Sequence, residues 1–136
     1  MQPPFAFTIR VYCEDTDAAG VVYYGNYYKF LERARTEWLR SLGFEQDELA
    51  RRDGVIFVVR SATLDFLKPA RFNDLIEASV VLAACGGASI TFAQTLRRGG
   101  ETLCEARVRV ACLDAATAAP RALPGALAAR LKEVIP

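Results

Sequence analysis

The stretch EDTDAAGVVYYGNY, Glu14–Tyr27, decides how this 136-residue chain folds. An acidic pair precedes a turn of small residues, and an aromatic-glycine-asparagine step then opens a strong helical pattern. Asn26 can act as the N-cap of that helix, and Gly43 as its left-handed stop. The stretch therefore predicts that a carboxylate, such as that of Asp17, lies beside the positive end of a helix.

The segment after Asn26 carries one apolar stripe at helical spacing. Charged residues occupy its other face, and the stripe consists of Tyr27, Phe30, Leu31, Ala34, Trp38 and Leu42. This pattern predicts a long amphipathic helix that other elements of the protein cover.

Most of the remaining chain alternates between apolar and polar residues, which is typical of half-buried strands. Strands are predicted at 5–12, 55–67, 75–84, 89–98 and 101–113, with a short helix at 45–52 and a closing helix that begins at Pro124. Gly99 and Gly100 suit a tight hairpin between the last two strands. This order predicts a single α+β domain over residues 1–136, in which an antiparallel sheet wraps over one buried helix.

Composition excludes several classes of function. The net charge is only +1 and the basic residues are scattered, so we expect no nucleic-acid partner. No apolar run approaches the length of a membrane span, so we expect no integral membrane segment. Met1–Pro4 lacks the charged start of a signal peptide, and we therefore expect a cytoplasmic protein.

The chain has no histidine, so its chemistry must use carboxylates, backbone donors, hydroxyls or thiols. The four cysteines form no CxxC pair, and no histidine can complete a mixed metal site, so we expect no metal. We interpret Cys13, Cys85, Cys104 and Cys112 as small apolar strand residues.

Two interpretations of Asp17 follow from the residues around it. Taken alone, it is a turn aspartate that caps local backbone. However, Gly20 and Gly25 let the backbone approach a ligand closely, and a helix that begins at Asn26 has free N–H groups in its first turn. A carboxylate on one side and N–H donors on the other are what an acyl-transfer site needs.

The longer run EDTDAAGVVYYGNYYKFLERARTEWL, Glu14 to Leu39, resembles the signature of the 4-hydroxybenzoyl-CoA thioesterase family. Within that family it is most similar to the Tol–Pal-associated acyl-CoA thioesterases. The resemblance continues in FVVRS at 57–61, DFLKPAR at 65–71 and PRALP at 120–124. It implies the hotdog fold, in which a curved antiparallel sheet wraps a long central helix. It also implies a homodimer or homotetramer with active sites at the dimer interface.

The resemblance implies roles for individual residues. Asp17 falls on the catalytic aspartate, and the backbone N–H of Tyr24 falls on the donor that polarises the thioester carbonyl. Asp15 matches a second acidic position, for which capping the turn is a sufficient role. The substrate is an acyl-CoA, no metal or redox cofactor is implied, and the remaining substrate-binding positions are Gly20, Val22, Gly25, Asn26, Tyr27, Glu32, Arg60 and Ser61.

Two features depart from the family pattern. The Tol–Pal-associated branch usually has histidine at the position of Tyr24, and tyrosine there is similar to the aromatic-substrate enzyme. A phenol is also a poorer base than imidazole at neutral pH. In addition, the turn at 83–88 lacks the basic residues that some relatives use for the CoA phosphates. Those phosphates then need a neighbouring subunit or one of Arg60, Lys68, Arg71, Arg97 and Arg98.

Glu32 also has two interpretations. In the aromatic-substrate enzyme, an acid at this position contacts the acyl ring. On this chain it can instead be a surface partner of Arg35 or Thr36.

The sequence as a whole predicts a thioesterase that converts an acyl-CoA and water into a carboxylic acid and CoA, with Asp17 as nucleophile or general base. A hotdog dehydratase is disfavoured, since it would use a histidine. The alternative is a non-catalytic acyl-CoA-binding or assembly hotdog protein, which would not need Asp17.

Overall fold

An antiparallel sheet and a long helix dominate the structure, a computed structural model that describes residues 5–136. Met1–Pro4, where the sequence predicts no signal peptide, lie outside these residues. The elements are β1 (Phe5–Arg10), α1 (Tyr24–Ser41), α2 (Gln46–Asp53), β2 (Val55–Phe66), β3 (Leu75–Cys85), β4 (Ser89–Arg98), β5 (Glu101–Asp114) and α3 (Gly125–Val134), with a short 3₁₀ turn at Cys13–Asp15. The predicted α+β class is confirmed. From residue 5 onward, no helix has both the length and the hydropathy to cross a membrane.

The sheet has the strand order β1-β3-β4-β5-β2, and every neighbouring pair is antiparallel. β4 and β5 are joined by the predicted glycine hairpin, in which Gly99 has a φ of +60°. β1 and β2 lie at the two edges. A bulge at Arg60 interrupts the register between β2 and β5.

Helix α1 packs on the inner face of the sheet and forms the centre of the core. Phe30 and Ala34 of the helix are fully buried, and Trp38 meets Phe92 of β4 edge-on, with ring centroids 5.3 Å apart. The alternation of buried and exposed residues in β5 follows the predicted pattern. The amphipathic stripe therefore determines which face of α1 contacts the sheet.

One polar side chain is buried between these two layers. Gln94 of β4 donates its side-chain amide to the carbonyl oxygen of Leu31, at 3.1 Å. Its own amide oxygen accepts a hydrogen bond from Arg35, also at 3.1 Å. Because both ends of the amide have partners, Gln94 joins helix to sheet without leaving a buried polar atom unsatisfied.

Two predicted helix boundaries were wrong. Asn26 is not the N-cap, because α1 begins at Tyr24 and Tyr23 occupies the cap position. Pro124 is the N-cap of α3, and Gly125 is the first helical residue. The predicted stop of α1 is confirmed, since Gly43 has a φ of +96°.

The buried stripe of α1 predicts a large loss of stability when it is truncated. We expect Phe30→Ala to lower the free energy of unfolding by about 3–5 kcal/mol, because the substitution leaves a cavity in a closely packed core. Lys29→Ala, at an exposed neighbouring position, should change it by less than about 0.5 kcal/mol. Urea unfolding of both variants measures the difference, and similar values for the two would contradict this account of the core.

Candidate active site

The acidic stretch folds into a closed turn. Thr16 and Val22 face each other in an antiparallel bridge. Inside it, the N–H of Asp17 donates to the carbonyl of Val21 at 2.9 Å, and the N–H of Gly20 donates to the carbonyl of Asp17 at 3.0 Å. Gly20 has a φ of +80°, which residues with a side chain rarely adopt. Asp17 therefore occupies the first corner of the turn, where it is exposed.

The carboxylate of Asp17 makes one local hydrogen bond. Its Oδ1 accepts from the N–H of Ala19 at 2.8 Å, as in a turn aspartate that caps its own backbone. Across residues 5–136 no ion pair engages this carboxylate. The capping bond fixes the orientation of the side chain and leaves Oδ2 available to a substrate or a water molecule.

The carbonyl oxygen of Asp15 joins the turn to the start of α1. It accepts a hydrogen bond from the N–H of Tyr23 at 3.1 Å and a second from the Nδ2 of Asn26 at 2.8 Å. The Asp15 side chain caps the preceding backbone, because its Oδ2 accepts from the N–H of Tyr12 at 2.8 Å. Asn26 thus holds the acidic turn instead of capping the helix.

The first turn of α1 offers free N–H donors. No side chain caps this helix, and no acidic residue lies in its first turn. The amides of Tyr24 and Gly25 have no partner within the helix, since they precede the first i to i−4 bond. Gly25 also has a packing reason to lack a side chain, because a Cβ there would lie 2.7 Å from the ring of Tyr23.

An apolar cleft of about 280 Å³ opens beside this helix start. Tyr24 and Tyr27 of α1 and Phe66 of β2 contribute aromatic rings to it, and the full lining is Val22, Tyr24, Tyr27, Phe66, Leu67, Lys68 and Pro69. The ring of Phe66 meets Tyr27 at 5.2 Å and Tyr24 at 6.4 Å between centroids. Phe66 and Tyr24 remain 49% and 60% exposed. The rings therefore present an uncovered apolar surface.

Ala70 connects the segment after Phe66 to the turn and the helix. Its carbonyl accepts the N–H of Val22 at 2.8 Å, and its own N–H donates to the phenol oxygen of Tyr27 at 3.0 Å. Burial raises the pKa of Tyr27, which keeps this phenol neutral. One wall of the cleft, Phe66–Pro69, lies in the motif at 65–71, and the sequence pattern did not predict that the motif contributes to the site. In the local sequence, only Pro69, which ends an apolar strand, marks the segment that forms this wall.

Three of the predicted binding residues lie apart from this cleft. Glu32 lines a second cavity of about 200 Å³, together with Arg35, Thr36, Gln46, Phe57, Val59 and Val110. Burial lowers the pKa of Arg35, and the nearby charge of Glu32 opposes that shift. Arg60 lies at the bulge of edge strand β2, and Ser61 is exposed on the outer face of the sheet. Within one protomer, these residues do not meet Asp17.

Several of the basic residues considered for the CoA phosphates have local partners. Lys68 pairs with Glu101 at 2.7 Å. Arg98 pairs with Glu101 and, at 2.6 Å, with Asp74. Arg97 donates to the Thr102 hydroxyl at 2.7 Å and to the Gly100 carbonyl at 2.9 Å. These contacts stabilise the end of the β4–β5 hairpin and reduce the availability of all three side chains for a ligand.

The cysteines differ in environment. Cys104 and Cys112 are buried strand residues, as predicted, and Cys85 is partly buried at the end of β3. Cys13 departs from the prediction, because it is exposed in the 3₁₀ turn. Burial raises the pKa of the Cys104 thiol to about 11, and it also raises those of Cys85 and Cys112. Three of the four thiols are therefore poor nucleophiles at neutral pH.

Comparison with known proteins identifies the family. The model of the thioesterase superfamily matches residues 19–105, which include the second half of the acidic turn, all of α1 and the cleft. The chain belongs to the thioesterase superfamily. The family prediction made from Glu14–Leu39 is thereby confirmed.

The relatives in this superfamily match over most of their length. The acyl-CoA thioesterase YbgC of Haemophilus influenzae is 43% identical over 88% of both chains. The acyl-CoA thioester hydrolase YbgC of Escherichia coli is also 43% identical, over 95% of this chain and 96% of its own. The crystal structure of a probable thioesterase from Bartonella henselae superposes with a TM-score of 0.86 at 35% identity, over 90% of this chain and all of that one. The predicted hotdog fold is confirmed.

The buried thiol of Cys104 predicts a loss of stability at alkaline pH. Its pKa of about 11 in the folded protein exceeds the ordinary value of 9.0. Between these values the unfolded chain loses the proton first, so the free energy of unfolding falls as the pH rises. Near pH 10.5 the fall should be roughly 2 kcal/mol.

Urea unfolding at pH 8 and pH 10.5 measures this fall. Cys104→Ala should lose less stability between the two pH values than the wild type does, whatever its stability at pH 8. Equal losses in the two proteins would contradict the assignment.

Proposed function

We propose that the protein is an acyl-CoA thioesterase, which hydrolyses an acyl-CoA to a carboxylic acid and CoA. The proposal rests on one arrangement of three features. Hydrogen bonds to the carbonyl of Asp15 hold the acidic turn against the start of α1, no side chain caps that helix start, and an apolar cleft lies beside it. The relatives named as acyl-CoA thioesterases support the substrate class.

In this proposal the start of α1 stabilises the oxyanion. The N–H of Tyr24 donates to the thioester carbonyl oxygen and binds it more strongly as negative charge develops there. The helix dipole adds to the effect. Donors that are already oriented in the free enzyme need no reorganisation during the reaction. Gly25 keeps the backbone at this point open to the substrate.

Asp17 supplies the nucleophile or the general base. As a nucleophile, its carboxylate attacks the thioester carbonyl, the CoA thiolate leaves, and water hydrolyses the acyl-aspartyl anhydride. As a general base, it takes a proton from a water molecule that attacks the same carbon. The absence of histidine from the chain supports an aspartate in this role. The turn glycine, Gly20, allows the substrate to approach.

The cleft then receives the acyl group. Val22, Tyr24 and Tyr27 line it, and the aromatic rings favour an acyl group that can stack. We assign Asn26 an indirect role, in which it holds the acidic turn through the carbonyl of Asp15.

We further propose that the enzyme is a homodimer or homotetramer that pairs through β2. This strand lies at the edge of the sheet, and its Val58 and Val59 are 44% and 47% exposed. An apolar, unpaired edge strand is a site for pairing with another chain. Such pairing would place a second copy beside the Glu32 cavity, Arg60 and Ser61, which lie apart from the cleft in one protomer.

We infer a cytoplasmic location. All four cysteines are free thiols, and free thiols are typical of reducing compartments. The proposed substrate, an acyl-CoA, agrees with this.

Asp17→Asn should abolish most thioesterase activity without unfolding the protein. The amide is nearly isosteric and can still accept the N–H of Ala19, but it cannot attack or take a proton. We expect kcat to fall by at least about 10². Asp15→Asn is the matched control, because its amide oxygen can still accept from Tyr12, and it should stay within a few-fold of wild type.

Released thiol from an acyl-CoA, measured under single-turnover conditions, gives both rates. If Asp17→Asn keeps more than a third of the wild-type rate, the catalytic assignment is wrong. A wild type that binds acyl-CoA without hydrolysing it would instead support the non-catalytic alternative.

Tyr24 should influence the choice of acyl group. We expect benzoyl-CoA to have a several-fold higher kcat/KM than acetyl-CoA, since a planar acyl group can stack on Tyr24 and Phe66, and aromatic pairs contribute about 0.5–1.5 kcal/mol beyond area burial. Tyr24→His should shift the preference towards butyryl-CoA. A wild type that prefers acetyl- or butyryl-CoA would show that this ring does not set specificity.

The exposed edge of β2 predicts self-association. Sedimentation at micromolar concentration should give a species of at least twice the 15.0 kDa protomer mass. Val59→Lys should shift the population towards the protomer, because it places a charge on the paired edge, whereas Thr8→Lys on the opposite edge strand should not. A wild type that sediments only at the protomer mass contradicts the proposal.

A further inference from the structure

Arg71 lies beside the acidic turn, in the loop that runs on from the cleft. It follows Pro69, which lines the cleft, and Ala70, whose carbonyl accepts the N–H of Val22 at 2.8 Å. Val21 and Arg71 face each other in an antiparallel bridge. The loop after β2 therefore runs alongside the acidic turn, and Arg71 lies where the two segments meet.

Asp17, Val21 and Arg71 form a short row across three adjacent segments. The N–H of Asp17 donates to the carbonyl of Val21 at 2.9 Å, and Val21 pairs in turn with Arg71. Two such steps across antiparallel segments separate the Cα atoms of Asp17 and Arg71 by roughly 10 Å. Within residues 5–136, the two side chains form no ion pair with each other. A ligand at Asp17 can therefore extend to the guanidinium of Arg71.

The backbone of Arg71 is anchored, whereas its side chain is free. The N–H of Arg71 donates to Oδ2 of Asp74 at 2.8 Å, and its carbonyl accepts the N–H of Asp74 at 3.1 Å. The residue is exposed. Across the chain from Phe5 onward, its guanidinium takes part in no ion pair and no hydrogen bond. It is therefore available to an anionic ligand.

The loop around Arg71 carries positive charge. Its own carboxylate, that of Asp74, is already paired with Arg98 at 2.6 Å. A second exposed guanidinium lies next to the loop, because Nη1 of Arg10 donates to the carbonyl of Asn73 at 2.6 Å. In the part of the chain that the structure describes, no carboxylate pairs with Arg10 or Arg71. An anion that approaches this loop therefore meets unneutralised cations.

The other basic residues considered for the CoA phosphates are less available. Lys68, Arg97 and Arg98 have the local partners described above. Arg60 lies on β2, the edge strand through which two copies are proposed to pair. Of this set, Arg71 alone lies beside the acidic turn with a free side chain.

The proposed pairing of two copies does not use the edge near Arg71. The N–H of Asn73, in the same loop, donates to the carbonyl of Val11 at 3.0 Å. Val11 directly follows β1, and β1 and β2 lie at opposite edges of the sheet. A second copy that pairs along β2 therefore leaves the β1 edge unpaired.

We propose that Arg71 binds the diphosphate of the CoA part of the substrate. The acyl group occupies the cleft in the proposed reaction, so the rest of CoA must extend over the exposed acidic turn, where Arg71 lies. The diphosphate is the phosphate group nearest to the thioester along CoA, which suits the short distance from Asp17. A guanidinium binds phosphate oxygens through paired N–H donors. The identity of the ligand rests on the proposed thioesterase function.

Binding of CoA, the proposed product, tests the assignment without catalysis. Calorimetry compares the wild type with Arg71→Gln, which keeps the backbone contacts of the residue. The matched control is Arg51→Gln, which removes an exposed arginine from α2, before the start of β2, whereas the cleft lies at the end of β2. We expect Arg71→Gln to weaken CoA binding by about tenfold and Arg51→Gln to change it less than about twofold.

Dephospho-CoA identifies the phosphate group, because it keeps the diphosphate and lacks the 3′-phosphate. Arg71→Gln should weaken its binding by the same factor as that of CoA. An effect on CoA alone would overturn the assignment to the diphosphate. A wild type that does not bind CoA, or equal weakening in Arg71→Gln and Arg51→Gln, would overturn the proposal as a whole.

Kinetics with two thioesters separate phosphate binding from an effect on the chemistry. Arg71→Gln should raise KM for an acyl-CoA about tenfold and leave kcat within a few-fold of wild type, because the lost contact is remote from the reacting carbonyl. For the same acyl group on N-acetylcysteamine, which has no phosphate, kcat/KM should match the wild type. An equal fall with both thioesters would contradict the proposal, since Arg71 would then act on the reacting groups.

The two proposals can fail separately. A wild type that hydrolyses neither thioester removes the thioesterase function. The binding of CoA and dephospho-CoA still decides whether Arg71 contacts the diphosphate.

Discussion

The carbonyl oxygen of Asp15 accepts two hydrogen bonds, and the candidate site depends on them. One comes from the N–H of Tyr23 and the other from the side chain of Asn26. Each contributes only about 0.5–1.5 kcal/mol to stability. Their importance lies in position, because they fix a solvent-exposed turn against the first turn of α1. A carboxylate and a free N–H donor must keep a fixed geometry if they are to act on one carbonyl group.

The rest of the fold keeps that helix start in place. The buried stripe of α1 and the contacts of Ala70 with Val22 and Tyr27 attach three separate segments to one core. The candidate site, in contrast, is exposed, since Asp17, Tyr24 and Phe66 are all exposed. The candidate site therefore lies at the exposed start of α1, whereas the core lies along the buried stripe of the helix. An apolar, exposed surface of this kind is typical of a binding site or an interface.

Local pattern was sufficient to predict the strands, the stripe of α1 and the Gly99–Gly100 hairpin, because each depends on neighbours within a few residues. It failed for Asn26, whose partner is eleven residues earlier in the chain. It also did not predict that Phe66–Pro69 line the cleft. The hydrophobic periodicity of a segment carries no information on contacts between residues about 40 positions apart, such as Phe66 and Tyr27. Family resemblance named Glu32, Arg60 and Ser61 as binding residues, yet one protomer holds them away from the cleft, as an interface site would require.

A double-mutant cycle between Asn26 and Asp17 tests the central claim most directly. If Asn26 acts by holding the acidic turn, Asn26→Ala should lower kcat by about tenfold in the wild type and have no further effect in Asp17→Asn, because the group it positions is already gone. Circular dichroism of each variant confirms that the fold is retained. The same tenfold loss in both backgrounds would contradict the account, since Asn26 would then act independently of Asp17.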